Sequence, residues 1–351
     1  MRMAVGIKRA LLRARGRNNE GVVGLAIIIL VLAVGAVDHS FWSAATVFNL
    51  FRNSYEPLVF ALGVFLVLLI GGIDVSFDAI GIFAGYSVAI LIGQGHLGGG
   101  LWIYFLVAAG IGLMLGAFNA LVVAAFRLPV LIVTLGTRGI FVGVLLTAIG
   151  SAYVNNLPPS IQSFGNSYLV TVRTPSGQVA GLQTLVIPVA LLCVLVAIVL
   201  RYTVLGRGVY AVGGGEETAR RAGFSVGAIK TMVFCVAGLL AGFAGMIHVS
   251  LIGFADPQDL VGNELIVIAA VVFGGASIFG GRGSVGGTVL GVLLLELIQY
   301  ALITLKIPSS WDNVAIGGLL LAGMVLQVAR YGGGWRTFRM RVQTRLSGAT
   351  E

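Results

Sequence analysis

Charge is scarce in this chain. Asp and Glu together number 13 in 351 residues, and all charged types make up 10%, well under the quarter or so of a typical soluble domain. Cysteine is scarcer still. Cys193 and Cys235 both fall in apolar stretches, which argues against a disulfide framework or a cysteine metal site. His39, His96 and His248 are scattered without ligand spacing, so no metal site is expected. There is no H-E-x-x-H, no G-x-S-x-G with partners and no cysteine–histidine pairing, so no enzyme chemistry is expected of this chain. What is present is apolar. Hydrophobic types are 58% of the chain and mean hydropathy is +1.02. Apolar runs of about 17 to 26 residues recur, the length needed to cross a hydrocarbon core. The chain reads as a polytopic membrane protein, and its spans must be helices because backbone groups in lipid are satisfied internally. Glycine, at 52 residues, is about twice as common as usual. It lets membrane helices pack closely and marks their breaks.

The fold class expected is all-α with ten transmembrane helices, broken or re-entrant near the glycine motifs. They are Gly21–Val37, Tyr55–Gly71, Asp74–Gly93, Leu101–Phe126, Pro129–Gly150, Thr184–Leu200, Thr231–Leu251, Leu265–Phe279, Val285–Leu305 and Val314–Ala329. The amphipathic segment 38–53 is expected to lie at the outer interface or re-enter. A basic amino-terminal segment (1–20) precedes the transmembrane core (21–330), and a basic tail (331–351) follows it. The stretch "KRALLRARGR" resembles the n-region of a signal peptide, but the spans after it favour an uncleaved first helix. With ten helices, 18 of the 22 cations fall on one side. The positive-inside rule then makes both termini cytoplasmic, places segment 151–183 outside and puts loop 201–230 inside. The net charge of +9 is topological on this reading, and no nucleic-acid partner is expected.

One cytoplasmic stretch, "AVGGGEETARRAGF" at 211–224, gathers four charges in six residues. It lacks the Lys-Ser/Thr of a phosphate loop and the spacing of a dinucleotide fingerprint. Glu216–Arg220 and Glu217–Arg221 are i,i+4 pairs in the favourable order, and acids first, arginines last suits the helix dipole. Gly223 suits a C-terminal cap. A short helix bounded by glycines is one reading, and a solvated loop is the other.

This stretch resembles the cytoplasmic loop of sugar-type ATP-binding-cassette importer permeases, the group that handles ribose, xylose, arabinose and galactofuranose. "GGIDVSFDAIGIFAG" (71–85), "GAFNALVVAAFRLPVLIVTLGTRGI" (116–140) and "FGGASIFGGRGSVGGTVLGVLLLELIQYAL" (273–302) resemble three further motifs of that family, in the same order. The chain departs from the pattern at Phe77, Asp78, Arg138 and Gly215. The resemblance implies a permease subunit in a bacterial inner membrane that imports a sugar or similar small polar solute. Its implied partners are a second permease subunit, identical or related, a cytoplasmic ATPase that holds ATP and Mg, and a periplasmic solute-binding protein. No cofactor would be bound by this chain. Gly214, Gly215, Glu216, Glu217, Ala219, Arg220, Arg221 and Gly223 would form the ATPase-coupling element.

Candidates for the solute path are Asn49, Phe51, Asn53 and Tyr55 near the outer mouth, and Asp74, Asn119, Thr134 and Thr137 further along. Asp74 follows a glycine break, so it either helps form a gate or caps the next helix. Arg138 and Glu296 are charges inside spans, and a structural role is expected for both. Asp256, Asp259 and Glu264 are candidates for docking the binding protein, against the alternative of a solvated acidic loop. Two other functions remain open at this level: a permease for nucleosides or branched-chain amino acids, and an ion-coupled secondary transporter.

Overall fold

A computed structural model describes residues 20–308 except 127, 174–178 and 261, together with the single positions 311, 314, 317, 318 and 321. The basic amino-terminal segment up to 19, the tail and most of the expected helix Val314–Ala329 lie outside the described residues. The chain is helical nearly throughout. The helices are α1 (Glu20–Val37), α2 (Ala44–Leu69), α3 (Phe77–Gly93), α4 (Leu101–Phe126), α5 (Val130–Val144), α6 (Pro159–Gly165), α7 (Val186–Tyr202), α8 (Val204–Gly214), α9 (Glu216–Arg221), α10 (Val226–Ile252), α11 (Glu264–Phe273) and α12 (Val285–Thr304). α5 runs on through a π-turn at Leu145–Ile149.

Among the described residues, six helices can cross a membrane by length and composition, or seven if α7 and α8, bent by 76°, count as one broken span. The difference from ten has a physical source. α3 and α11 are apolar but short: α3 starts at Phe77 rather than Asp74, α11 stops at Phe273 rather than Phe279, and most of Val314–Ala329 lies outside the described residues. The fold is also not purely helical. Tyr168–Arg173 (β1) and Val179–Gln183 (β2) form an antiparallel hairpin. It sits in the polar segment between α5 and α7, where water can serve its edges, and the β-branched, aromatic run YLVTVR favours it. Segment 38–53 does not lie apart as an interfacial piece. Its first residues form a 3-10 turn, His39–Trp42, and Ser43 then caps α2 by accepting from the Thr46 N–H at 3.2 Å. The interfacial-looking residues are thus the first turns of a long span.

α10 is the axis of the bundle, packed against α2, α3 and α4. Small residues make this possible. A Cβ on Gly112 of α4 would lie 2.2 Å from the Gly238 carbonyl oxygen of α10, and one on Gly242 would lie 2.2 Å from that of Ala108. On the α3 side, a Cβ on Gly245 would lie 1.9 Å from the Gly81 carbonyl oxygen. These spacings of four residues bring the backbones into contact, the usual route to tight association where lipid supplies no hydrophobic driving force. Two ends of the bundle are then distinct. α8 and α9 cluster at the end where α10 begins, with Arg201, Arg207, Arg220 and Arg221. We call it the basic end. The hairpin and the 253–263 segment lie at the other, where α10 ends and Val154 pairs with Ala255 through mutual N–H···O contacts of 3.0 Å.

Candidate functional site

At the basic end, the charged stretch is a helix. Glu216 and Glu217 occupy the first turn of α9, and Arg220 and Arg221 the last. Gly223 takes φ +87°, the left-handed conformation that glycine adopts at little cost. The Phe224 N–H then donates to the Ala219 carbonyl and the Gly223 N–H to that of Arg220, each at 3.0 Å. This pair of bonds is a Schellman cap. The expected pairing is corrected in one respect. Glu217 accepts from both arginines, at 3.3 Å from Arg220 and 3.2 Å from Arg221. Glu216 instead reaches out of the helix to Lys230 of α10, at 2.5 Å. Ala219 is buried beneath the helix, whereas the side chains of Glu217 and Arg221 are 64% and 79% exposed. One charge ties the helix down and three are displayed. An apolar groove runs beside them, lined by Val204, Leu205, Phe224, Ile229 and Met232.

Of the glycines before α9, Gly213 is a close-packed seat rather than a slack hinge. A Cβ on Gly213 would fall 1.7 Å from the Leu69 carbonyl oxygen and 2.4 Å from the Gly281 nitrogen. Gly281 donates to that same Leu69 carbonyl at 2.9 Å, and the Tyr210 hydroxyl donates to the Gly283 carbonyl at 3.0 Å. Three segments therefore meet here: the end of α2, the end of α8 and the glycine-rich loop between α11 and α12. Gly214 and Gly215 follow directly and lead into the helix.

Deeper in the bundle lies a polar seam where α2 breaks into α3. Asp74 does not cap α3. Its Oδ1 accepts from the Ser76 N–H at 2.7 Å and from the Ser76 hydroxyl at 2.6 Å, and Ser76 is the residue at the cap position. Asn119 of α4 donates to the Ser76 hydroxyl at 2.8 Å. Thr134 of α5 joins through its hydroxyl, which bonds the Ile73 carbonyl and the Val75 N–H at 3.3 Å. Asp74, Asn119 and Thr134, far apart in sequence, are thus one buried network. Thr137 sits beside it, its hydroxyl donating to the Thr134 carbonyl at 3.3 Å. The other path candidates are elsewhere. Asn49, Phe51 and Asn53 are exposed on the first turns of α2, and Tyr55 is buried with its hydroxyl unpartnered.

At the far end, the three acids of the 253–264 segment have separate environments. Asp256 accepts from the Gln258 N–H at 3.0 Å. Asp259 meets His248 Nε2 at 2.9 Å, and the opposite ring nitrogen meets Glu56 of α2 at 2.6 Å. Glu264 turns inward, with Arg138 Nη2 2.6 Å from its Oε1. Sequence reasoning did not find either cluster. Glu56 and His248 are 192 positions apart, and Arg138 was considered with Glu296 rather than with Glu264.

Residues 46–324 match the family described as "Branched-chain amino acid transport system / permease component". The chain is 32% identical over 309 residues to the Autoinducer 2 import system permease protein LsrC of Yersinia enterocolitica, covering 88% of this chain and 82% of that protein. It is 33% identical to the protein of the same name from Yersinia pseudotuberculosis, over 88% of this chain and 84% of that one. The chain belongs to this permease family. It is a multi-pass membrane protein and the transport subunit of an importer, not an enzyme. No solved structure matches it.

Proposed function

We propose that this permease forms the path for a neutral, sugar-like solute, of the kind named for its autoinducer 2 relatives. It works in a bacterial inner membrane with ten spans and both termini in the cytoplasm. A periplasmic binding protein delivers the solute at the hairpin end. A second permease subunit completes the membrane core, and a cytoplasmic ATPase, which holds the ATP and Mg, seats on α9. The observation that carries this reading is α9 itself. It is a capped helix with three displayed charges, an apolar groove at its side, and a glycine seat against α2 and the 274–284 loop. A helix so fixed passes displacement to the spans instead of absorbing it, and packed spans answer by switching between discrete arrangements. On this reading Gly214, Gly215, Glu216, Glu217, Ala219, Arg220, Arg221 and Gly223 are the coupling element. Asp74, Asn119, Thr134 and Thr137 border the path with the outer group on α2, and Asp256 and Asp259 face the binding protein. Glu264 has a different part, taken up below.

The family description also supports a second reading, a branched-chain amino acid as solute. One experiment separates them. The permease, its ATPase and its binding protein are reconstituted in vesicles, and uptake of autoinducer 2, D-ribose and L-leucine is compared. Saturable uptake of a sugar-like solute is expected, with the Arg221→Glu variant binding ATPase weakly. Uptake of leucine alone would overturn the sugar reading.

A further inference from the structure

Arg138 stands eight residues into a span that runs from Val130 to Ile149. At about 1.5 Å per residue this is roughly 12 Å into a 30 Å crossing. Two carboxylates meet it there from different elements. Glu264, at the start of α11, lies 2.6 Å from Nη2, and Asp78, in the first turn of α3, lies 3.7 Å from Nε. Asp78 is also bound by the Ala79 N–H at 2.7 Å and the Gly262 N–H at 3.4 Å. The segment between α10 and α11 therefore descends from the hairpin end to mid-depth before α11 begins.

Two features argue that this cluster is not a closed structural pair. Its bonding is incomplete: Arg138 Nε and Glu264 Oε2 are buried yet have no hydrogen-bond partner. It is also open on one side, since the Arg138 side chain is 25% exposed. Its helix neighbour one turn earlier, Leu135, is 53% exposed. A charge exposed at mid-depth faces water or protein in preference to lipid.

We propose that Arg138 and Glu264, backed by the buried Asp78, border the solute path at mid-depth and hold a neutral polyhydroxylated solute. This rests on the sugar reading above and assigns its contact residues. Among the buried atoms of the cluster, one N–H donor and one carboxylate oxygen are left open. Together they suit a hydroxyl pair, one oxygen accepting from Nε and one O–H donating to Oε2. A solute carboxylate would want both arms of the guanidinium, and Glu264 already engages one.

The test uses thiol labelling of the assembled importer in vesicles, in a background of Cys193→Ala and Cys235→Ala. Leu135→Cys is compared with Leu191→Cys, which is exposed on α7, using a membrane-impermeant cationic methanethiosulfonate. Leu135→Cys should label at least tenfold faster. D-ribose or autoinducer 2, presented by the loaded binding protein, should slow that labelling. Adding Glu264→Gln should raise the solute concentration needed by about tenfold, the scale of a hydrogen bond to a charged group, while leaving the unprotected rate high. Equal labelling of the two cysteines overturns the proposal, because Leu135 then faces lipid. Unchanged protection with Glu264→Gln overturns the assignment of these residues and leaves the sugar reading intact. Protection by L-leucine alone overturns the ligand class and the sugar reading together.

Discussion

The tightest seam in the molecule permits a controlled test, because two glycines of α4 differ only in what they face. Gly112 lies on α10. A Cβ there would be 2.2 Å from the Gly238 carbonyl oxygen and 2.8 Å from the Gly242 Cα. Gly110, two residues earlier on the same helix, has nothing within 4 Å. Alanine at either position gains the same helix propensity, about 1 kcal/mol. At Gly112 the carbonyl contact must also open by roughly 1 Å to reach ordinary van der Waals distance. A gap of that size forfeits between a quarter and a half of each contact's ~0.15 kcal/mol, and over the ~40 atom contacts of one buried side chain this is about 2 kcal/mol. The result agrees with the ~1–3 kcal/mol typical of overpacked interiors. The net expectation is that Gly112→Ala destabilises by about 1 kcal/mol or more after the propensity gain, whereas Gly110→Ala is neutral or stabilising. The assay is thermal unfolding of the purified permease in detergent, followed by thiol-reactive dye at the half-buried Cys193 and Cys235. Gly112→Ala should melt at least ~2–4 °C below wild type. Equal melting temperatures for the two variants would refute the claim that backbone contact between α4 and α10 holds the bundle.

The remaining predictions concern the sites. Glu217→Lys frees both arginines of α9, and all three groups are well exposed, so stability should fall by no more than about 0.5 kcal/mol; solute-stimulated ATP hydrolysis should nevertheless become uncoupled from uptake, measured in the same vesicles. Gly213→Val puts a side chain into the Leu69 carbonyl and should abolish uptake while ATPase co-purification persists. Arg138→Leu leaves Glu264 and Asp78 without their cation and should lower stability in unfolding assays, by less than the ~3–5 kcal/mol of a fully buried pair because Arg138 is 25% exposed; Glu264→Leu added to it should recover part of that loss.

Much of this architecture can be read from residue order. The limits of α4 follow from an apolar run between a Gly-Gly-Gly stretch and the Arg-Leu-Pro that ends it. α9 can be read from charge order and Gly223, since helix dipole and cap are local effects. What could not be read is non-local. Nothing near Glu216 in sequence says that Lys230 will outbid Arg220 for it; that depends on how α10 leaves the Gly223 turn. The start of α2 was misplaced because Asn49, Arg52 and Asn53 look interfacial, whereas Ser43 supplies a cap several residues earlier. Asp74 has the residue type of a cap and stands at a break, yet the helix begins at Phe77. Its carboxylate is taken by Ser76, which Asn119 also engages from α4. The two ionic clusters were invisible for the same reason: each joins helices whose order in space is set by glycine contacts, not by spacing along the chain.

Those contacts also decide what α9 can move. Glu216–Lys230 fastens it to the start of α10, and the Gly213 seat fastens it to the end of α2 and to the 274–284 loop. α2 and α10 each run the length of the bundle, and their far halves are joined again by Glu56 and His248, with Asp259 of the descending segment on the other ring nitrogen. That segment continues to Glu264 and Arg138. The route from α9 to the mid-depth cluster thus consists of two long helices in backbone contact and a segment pinned by charge at two points. Such a route has little internal slack, because close packing resists continuous deformation. On the proposed coupling role, a shift at α9 would be expressed as a choice between arrangements.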